Sequence, residues 1–119
     1  MELNKDMEKS REMARLAVEA LSDKKAEDVR VLDISEVSVL ADFFIIASGK
    51  NIRQIAALSD SVEEKLREKG YLPKNIEGKS GASWLLMDFG EIIIHIFDEE
   101  NRMFYDLERI WKDGKPVEL

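Results

Sequence analysis

The chain has 119 residues, 45% of them apolar and 36% charged, and a formal net charge of −7. That length suits one domain, residues 1–119, with a single core, and the composition is that of a globular chain rather than a disordered one. Cysteine is absent, which excludes disulfides, thiolate zinc sites and a cysteine nucleophile. Lys and Arg are interleaved with Glu and Asp, as in Lys24-Lys25-Ala26-Glu27-Asp28, so a broad phosphate-binding surface is disfavoured and little direct nucleic-acid contact is expected. The opening Met1-Glu2-Leu3-Asn4-Lys5-Asp6 lacks the apolar centre of a secretory signal. No run approaches the roughly 18 apolar residues that span a bilayer. The expected setting is cytoplasmic, with no membrane partner.

Leu3, Met7, Ala14, Ala17, Val18 and Leu21 recur at three- and four-residue steps and predict an amphipathic helix over residues 3–21. Ser22 to Lys25 is a polar break. Val29 to Ile34 is β-branched and reads as a strand, and the short connection Ser35 to Asp42 follows it. Phe43 to Ala47 is apolar throughout, as a central strand buried on both faces should be. Asn51 is placed to cap a second helix whose inner face carries Ile52, Ile55, Ala56, Ser59, Val62 and Leu66, with Gly70 at its C-terminal end. Pro73 to Gly81 reads as a loop, and Trp84 to Phe97 as a hairpin. Met103, Leu107, Ile110 and Trp111 predict a short helix within 101–112, and Pro116 is expected to end ordered structure. The fold class is α/β, one mixed sheet of four or five strands flanked by helices.

The hairpin carries large apolar side chains on both faces of both strands. With Phe89-Gly90 as the central turn residues, Asp88 opposes Glu91, Leu86 opposes Ile93 and Trp84 opposes His95. A slip of one residue would exchange the faces. In this register the aliphatic face of Leu85, Met87, Ile92 and Ile94 should meet the helices. The other face, with Trp84 and Leu86 beside Asp88, Glu91 and His95, is expected to remain partly exposed, an aromatic anchor within a polar rim. A strand Trp is also ordinary core content, and Asp88 opposite Glu91 is also an ordinary solvated hairpin end.

Catalytic patterns are sparse. Metal-dependent nucleotidyl transfer needs clustered carboxylates, commonly an Asp-x-Asp pair on a strand near a Gly-Ser turn. None follows Ser48-Gly49, where Asp33 and Asp42 are isolated and Asp98-Glu99-Glu100 reads as a solvated charge run. Asp88-Phe89-Gly90 shares three letters with a kinase magnesium motif, but no glycine-rich loop or catalytic loop accompanies it. His95 is the sole histidine and reads as a satisfied strand residue rather than a ligand. Ser48-Gly49 ahead of a helix can hold a phosphate or simply turn the chain. No catalytic residue, metal or cofactor is expected. A self-associating module is a further reading, with the exposed face serving a homodimer.

Several blocks together resemble one family. Ala41-Asp42-Phe43-Phe44-Ile45-Ile46-Ala47-Ser48-Gly49 is followed by Arg53-Gln54, Glu77-Gly78 and Gly81. Trp84, Leu86, Asp88-Phe89-Gly90, His95-Ile96-Phe97 and Arg102-Met103-Phe104-Tyr105-Asp106-Leu107-Glu108 complete the set. In order and spacing these resemble the ribosomal silencing factors, also called RsfS or Iojap, over almost the whole chain. The resemblance implies a nucleotidyltransferase-like fold without known nucleotide transfer. It implies binding to the large ribosomal subunit at its intersubunit face through ribosomal protein L-fourteen, with small-subunit joining blocked and translation repressed. Carried onto this chain, it implies partner contacts from Trp84, Leu86 and Asp88 of the hairpin, from Tyr105 and Asp106 near it, and from Arg102 and His95.

Overall fold

The structure is a computed structural model that describes the backbone of residues 2–36, 38–78, 83–99, 114–117 and 119, with side chains from residue 7 onward. The helix expected within 101–112 lies outside the described residues. In chain order the elements are α1 (Glu2–Asp23), β1 (Glu27–Asp33), β2 (Phe43–Gly49), α2 (Ile52–Glu68), β3 (Asn75–Glu77), β4 (Trp84–Asp88), β5 (Ile92–Asp98) and β6 (Lys115–Pro116). They form one mixed sheet in the order β3-β4-β5-β2-β1-β6. Only β2 and β5 run parallel, and the other neighbours are antiparallel.

The sheet has six strands where four or five were expected. The two additional ones are β3, inside the stretch read as a loop, and β6, at the proline expected to end order. Segments of two or three residues carry too few positions for any periodicity. They are strands because β4 and β1 offer them an edge. Proline is tolerated in β6 because an edge position leaves its missing N–H facing away from the ladder.

All seven residues of β2 are buried, as the continuous apolar run predicts. Both described helices pack on one face of the sheet. Ala14, Ala17 and Ala20 of α1 and Ile55, Leu58, Val62 and Leu66 of α2 meet Ile45, Leu85, Met87, Ile92, Ile94 and Ile96 in one buried cluster. The alanines let the helices approach closely, and Ser61 Oγ donates to the carbonyl of Ala20 at 3.2 Å.

The helix termini follow elementary capping. Asn51 is extended at the start of α2, and its Oδ1 accepts the Gln54 N–H at 2.8 Å, while Gln54 Oε1 accepts the Lys50 N–H. At the other end Gly70 takes φ +84°, with its N–H bonded to Arg67 and that of Tyr71 bonded to Leu66. The same pair of bonds closes α1: Lys25 N–H to Ser22 and Ala26 N–H to Leu21. Here a lysine rather than a glycine occupies the left-handed position, at φ 62°.

The β4–β5 hairpin turns one residue later than expected. Phe89 N–H donates to the Ile92 carbonyl at 3.0 Å, so Gly90 and Glu91 form the bend, Gly90 at φ +90°. Asp88 therefore faces Ile93, Leu86 faces His95 and Trp84 faces Phe97. Moving the centre of a turn by one residue moves the pairing by two. Because side chains alternate with a period of two, each residue keeps the face it was assigned.

Lys25→Gly is expected to raise the unfolding free energy by about 1 kcal/mol, since a Cβ in the left-handed region costs roughly that much. Urea unfolding of the two proteins should show a higher midpoint at unchanged slope; an unchanged or lower midpoint would count against strain at Lys25.

Candidate functional site

The face of the sheet opposite the helices is ordered in rows set by the pairing. One row runs Asn75, Asp88, Ile93, Phe44, Leu32; the next runs Glu77, Leu86, His95, Ile46, Arg30; a third holds Trp84, Phe97 and Ser48. The middle of this face is not bare. Ile46 is 0% and Phe97 1% exposed, and Leu32, Phe44 and His95 are buried too, with Ile34 and Ala41 from the β1–β2 connection joining the same cluster. The expected exposed face is thus confined to its β3–β4 side. There Trp84, Leu86 and Asp88 are half-buried, and Asn75 and Glu77 of the short edge strand are exposed.

Trp84 rests on an aromatic layer. Its Nε1 donates to His95 Nδ1 at 3.1 Å, diagonally across the two strands. The planes of Trp84, His95 and Phe97 lie within 6° of parallel, with centroids 5.9 to 6.0 Å apart. An indole N–H and an imidazole lone pair both lie in their ring planes, so the Trp84–His95 pair sits side by side rather than face to face. Phe44 meets His95 at 4.5 Å, tilted by 40°.

His95 was expected on the partner-facing rim. At 8% exposure it lies beneath that surface instead. Burial lowers its pKa to about 4, so the ring is neutral at physiological pH. With Nδ1 accepting from Trp84, the proton is on Nε2.

Asp88 serves its own hairpin: Oδ1 accepts the Gly90 N–H at 2.8 Å, and its carbonyl accepts the Lys74 N–H at 2.7 Å. Glu91, expected opposite Asp88, instead lies in the bend and pairs with Lys9 at 3.4 Å. Arg102, Tyr105 and Asp106 lie outside the described residues. Asn75 and Glu77 are not among the site residues the sequence suggests, Glu77 entering only as part of the family resemblance, because three residues carry too little pattern to mark a strand. The only signal there is one apolar residue, Ile76, between two polar ones, followed by Gly78 at φ +75°.

The other chemical candidates are engaged in structure. Asp33 Oδ1 accepts the N–H and Oγ of Ser35, and Asp42 Oδ2 accepts Ser10 Oγ at 2.6 Å. The turn after Ser48-Gly49 uses Asn51 and Gln54 to satisfy the amides at the start of α2. Among the described residues, no three His, Asp or Glu side chains converge to hold a metal ion, and no helix is long and apolar enough to cross a membrane.

Fold and site together define a small mixed α/β protein with its two described helices on one sheet face and an aromatic layer, half-buried at Trp84, on the other. Two crystal structures share this architecture. A protein from Bacillus halodurans superposes with a TM-score of 0.81 at 37% identity, covering 92% of this chain and 99% of that one. One from Chromobacterium violaceum superposes at 0.83 and 37%, covering 90% and 89%. The family model described as "Ribosomal silencing factor during starvation" matches residues 7–119. Among curated relatives, the ribosomal silencing factor RsfS of Halalkalibacterium halodurans is 38% identical over 92% of this chain and 94% of its own. The chloroplastic protein Iojap of Zea mays is 35% identical over 84% of this chain and 43% of its own. The chain belongs to the ribosomal silencing factor (RsfS) family.

Protonation of His95 has a defined sign. The folded pKa lies below the ordinary 6.5, so the unfolded chain binds the extra proton between about pH 6.5 and 4. Stability from this residue is complete above about pH 6.5, is lost as pH falls, and levels off below the folded value. The loss amounts to at most about 3 kcal/mol. Unfolding free energies of wild type and His95→Phe, measured from pH 7.5 to 4, should diverge by that component. Parallel curves would show that His95 titrates alike in both states.

Proposed function

We propose that this protein binds the large ribosomal subunit through a ribosomal protein, L-fourteen by the family resemblance, at the intersubunit face. Bound there it excludes the small subunit by bulk and represses translation, without catalysis. The observation that carries the reading is the graded face. A buried, stiff aromatic centre supports a half-exposed Trp84, Leu86 and Asp88 at the sheet's β3–β4 side. Interface hot spots combine such an aromatic anchor with aliphatic neighbours and a polar rim. Tyr105, Asp106 and Arg102 follow β5 in the chain and are proposed to join the surface.

The energetics are modest. Sub-micromolar affinity corresponds to about −8 to −10 kcal/mol, within reach of a few desolvated anchors and one paired carboxylate. A net charge of −7 draws the protein towards basic ribosomal proteins and away from bare RNA. This supports a protein partner in a cytoplasmic setting. The engaged state of Asp33, Asp42 and the Ser48-Gly49 turn favours this reading over nucleotide chemistry.

Sucrose-gradient sedimentation of separated subunits tests the proposal. The protein should comigrate with large subunits and lower the joined fraction; migration at the top of the gradient, with joining unaffected, would sink it. Trp84→Ala should weaken large-subunit binding by about thirtyfold or more, a loss of roughly 2 kcal/mol or above. Because the indole also packs on Phe97 and His95, the same change should cost about 1–3 kcal/mol of stability, so binding is read below the variant's unfolding transition. Light scattering on free wild type and Trp84→Ala addresses a homodimer on the same face. Splitting of a dimer with subunit binding intact would reassign Trp84 to self-association.

Asp88→Asn keeps an oxygen for the Gly90 N–H and removes the charge, whereas Asp88→Ala removes both. Asn should fold like wild type but bind subunits several-fold more weakly, while Ala should additionally lose about 1 kcal/mol of stability. Equal subunit affinity for wild type and Asp88→Asn would remove the carboxylate from the docking surface.

A further inference from the structure

We propose that His95 is a positioning residue: its Nδ1 lone pair holds the Trp84 indole in one plane beside Phe97, presenting a preset anchor to the partner. The docking part of this inference rests on the proposed function; the holding of the indole does not.

An indole half-buried on a strand has more than one staggered rotamer available, and its rim-facing atoms move by several ångströms between them. Selecting one before binding removes an ordering cost from association. Three features make the selection. The Nε1–Nδ1 bond is 3.1 Å long and joins two rings that are parallel within 5°. A bond of that geometry fixes the swing of the indole as well as its tilt. Phe97 is directly opposite Trp84 in the pairing, 1% exposed, and within 6° of parallel to both rings at 5.9 Å, so a buried neighbour completes the layer. Phe44 lies against His95 at 4.5 Å, so the imidazole is itself held by a buried neighbour on the central strand.

The acceptor must be a neutral ring nitrogen. Protonated imidazole carries a hydrogen on both nitrogens and would set two donors against each other. Among the described residues, the charged ones sharing this face, Glu77, Asp88, Arg30 and Glu27, belong to its outer rows and strands. A phenylalanine at position 95 would keep the aromatic layer but offer Trp84 nothing to donate to. An asparagine would return an acceptor near the Nδ1 position while giving up the ring. The two substitutions therefore separate the hydrogen bond from the packing.

The test uses the full chain with Trp111→Phe, so that Trp84 is the sole indole. Nitrogen-15 spectra give the indole Nε1–H shift and its exchange rate with water, and sedimentation gives large-subunit affinity. In His95→Phe the indole N–H should exchange on the order of tenfold faster and lose its hydrogen-bonded shift. Subunit affinity should fall by about threefold to tenfold, and His95→Asn should recover most of both. Unchanged indole shift and exchange in His95→Phe would overturn the inference. So would a loosened indole with undiminished subunit affinity, provided Trp84→Ala does weaken binding. If Trp84→Ala leaves subunit affinity untouched, the docking surface itself is misassigned, and the indole spectrum alone then decides whether His95 holds Trp84.

Discussion

The parallel pairing of β2 with β5 is the constraint from which the remainder of the structure follows. Its register runs unbroken from Phe43 opposite Ile92 to Gly49 opposite Asp98, and the pair sits third and fourth in a six-stranded sheet. Parallel strands cannot be joined by a tight turn. The chain must leave β2, cross through α2 and return by the β3-β4-β5 meander. That route delivers α2 to the same sheet face as α1 and leaves β3, the shortest of the meander strands, at the edge. Both central strands are then buried on two sides, so each alternate side chain must be apolar and each row across the sheet has a fixed partner.

The site inherits its character from this arrangement. Rows that begin on the polar edge, at Asn75 or Glu77, pass through half-buried Asp88 or Leu86 to half-buried Ile93 or buried His95 and on to buried Phe44 or Ile46. Burial deepens along that direction, from exposed Asn75 and Glu77 to Phe44 and Ile46. An anchor such as Trp84 gains from standing between the two regimes, close enough to the edge to be reached and close enough to the centre to be held. The single histidine is placed where desolvation keeps it neutral, which is the state in which it can accept from the indole.

Polar groups that invite a catalytic reading are spent on building the scaffold. Asn51 and Gln54 satisfy amides at the helix start, Asp33 and Asp42 accept from nearby serines, and Asp88 ties its own bend through Gly90. Asp88 is the one of these that also borders the half-exposed surface, with its charge and its hydrogen-bond acceptor separable by a single amide substitution. Lys25 marks the opposite case, a backbone position where a residue with a side chain sits in glycine's territory.

Local signals alone determined the two described helices, the Asn51 and Gly70 caps, the buried central strand and the two faces of the hairpin. These depend on alternation, helical spacing and terminal chemistry, which act over a few neighbouring residues. The hairpin pairing was misplaced by two residues yet its faces survived, because parity is local whereas the position of a bend depends on which residue meets the neighbouring strand. Only the tertiary structure decided that β3 and β6 are strands, that Phe97 and Phe44 complete the aromatic layer, and that His95 lies under the surface rather than on it. Each of those outcomes depends on what a distant segment places alongside, and short-range pattern carries no record of that.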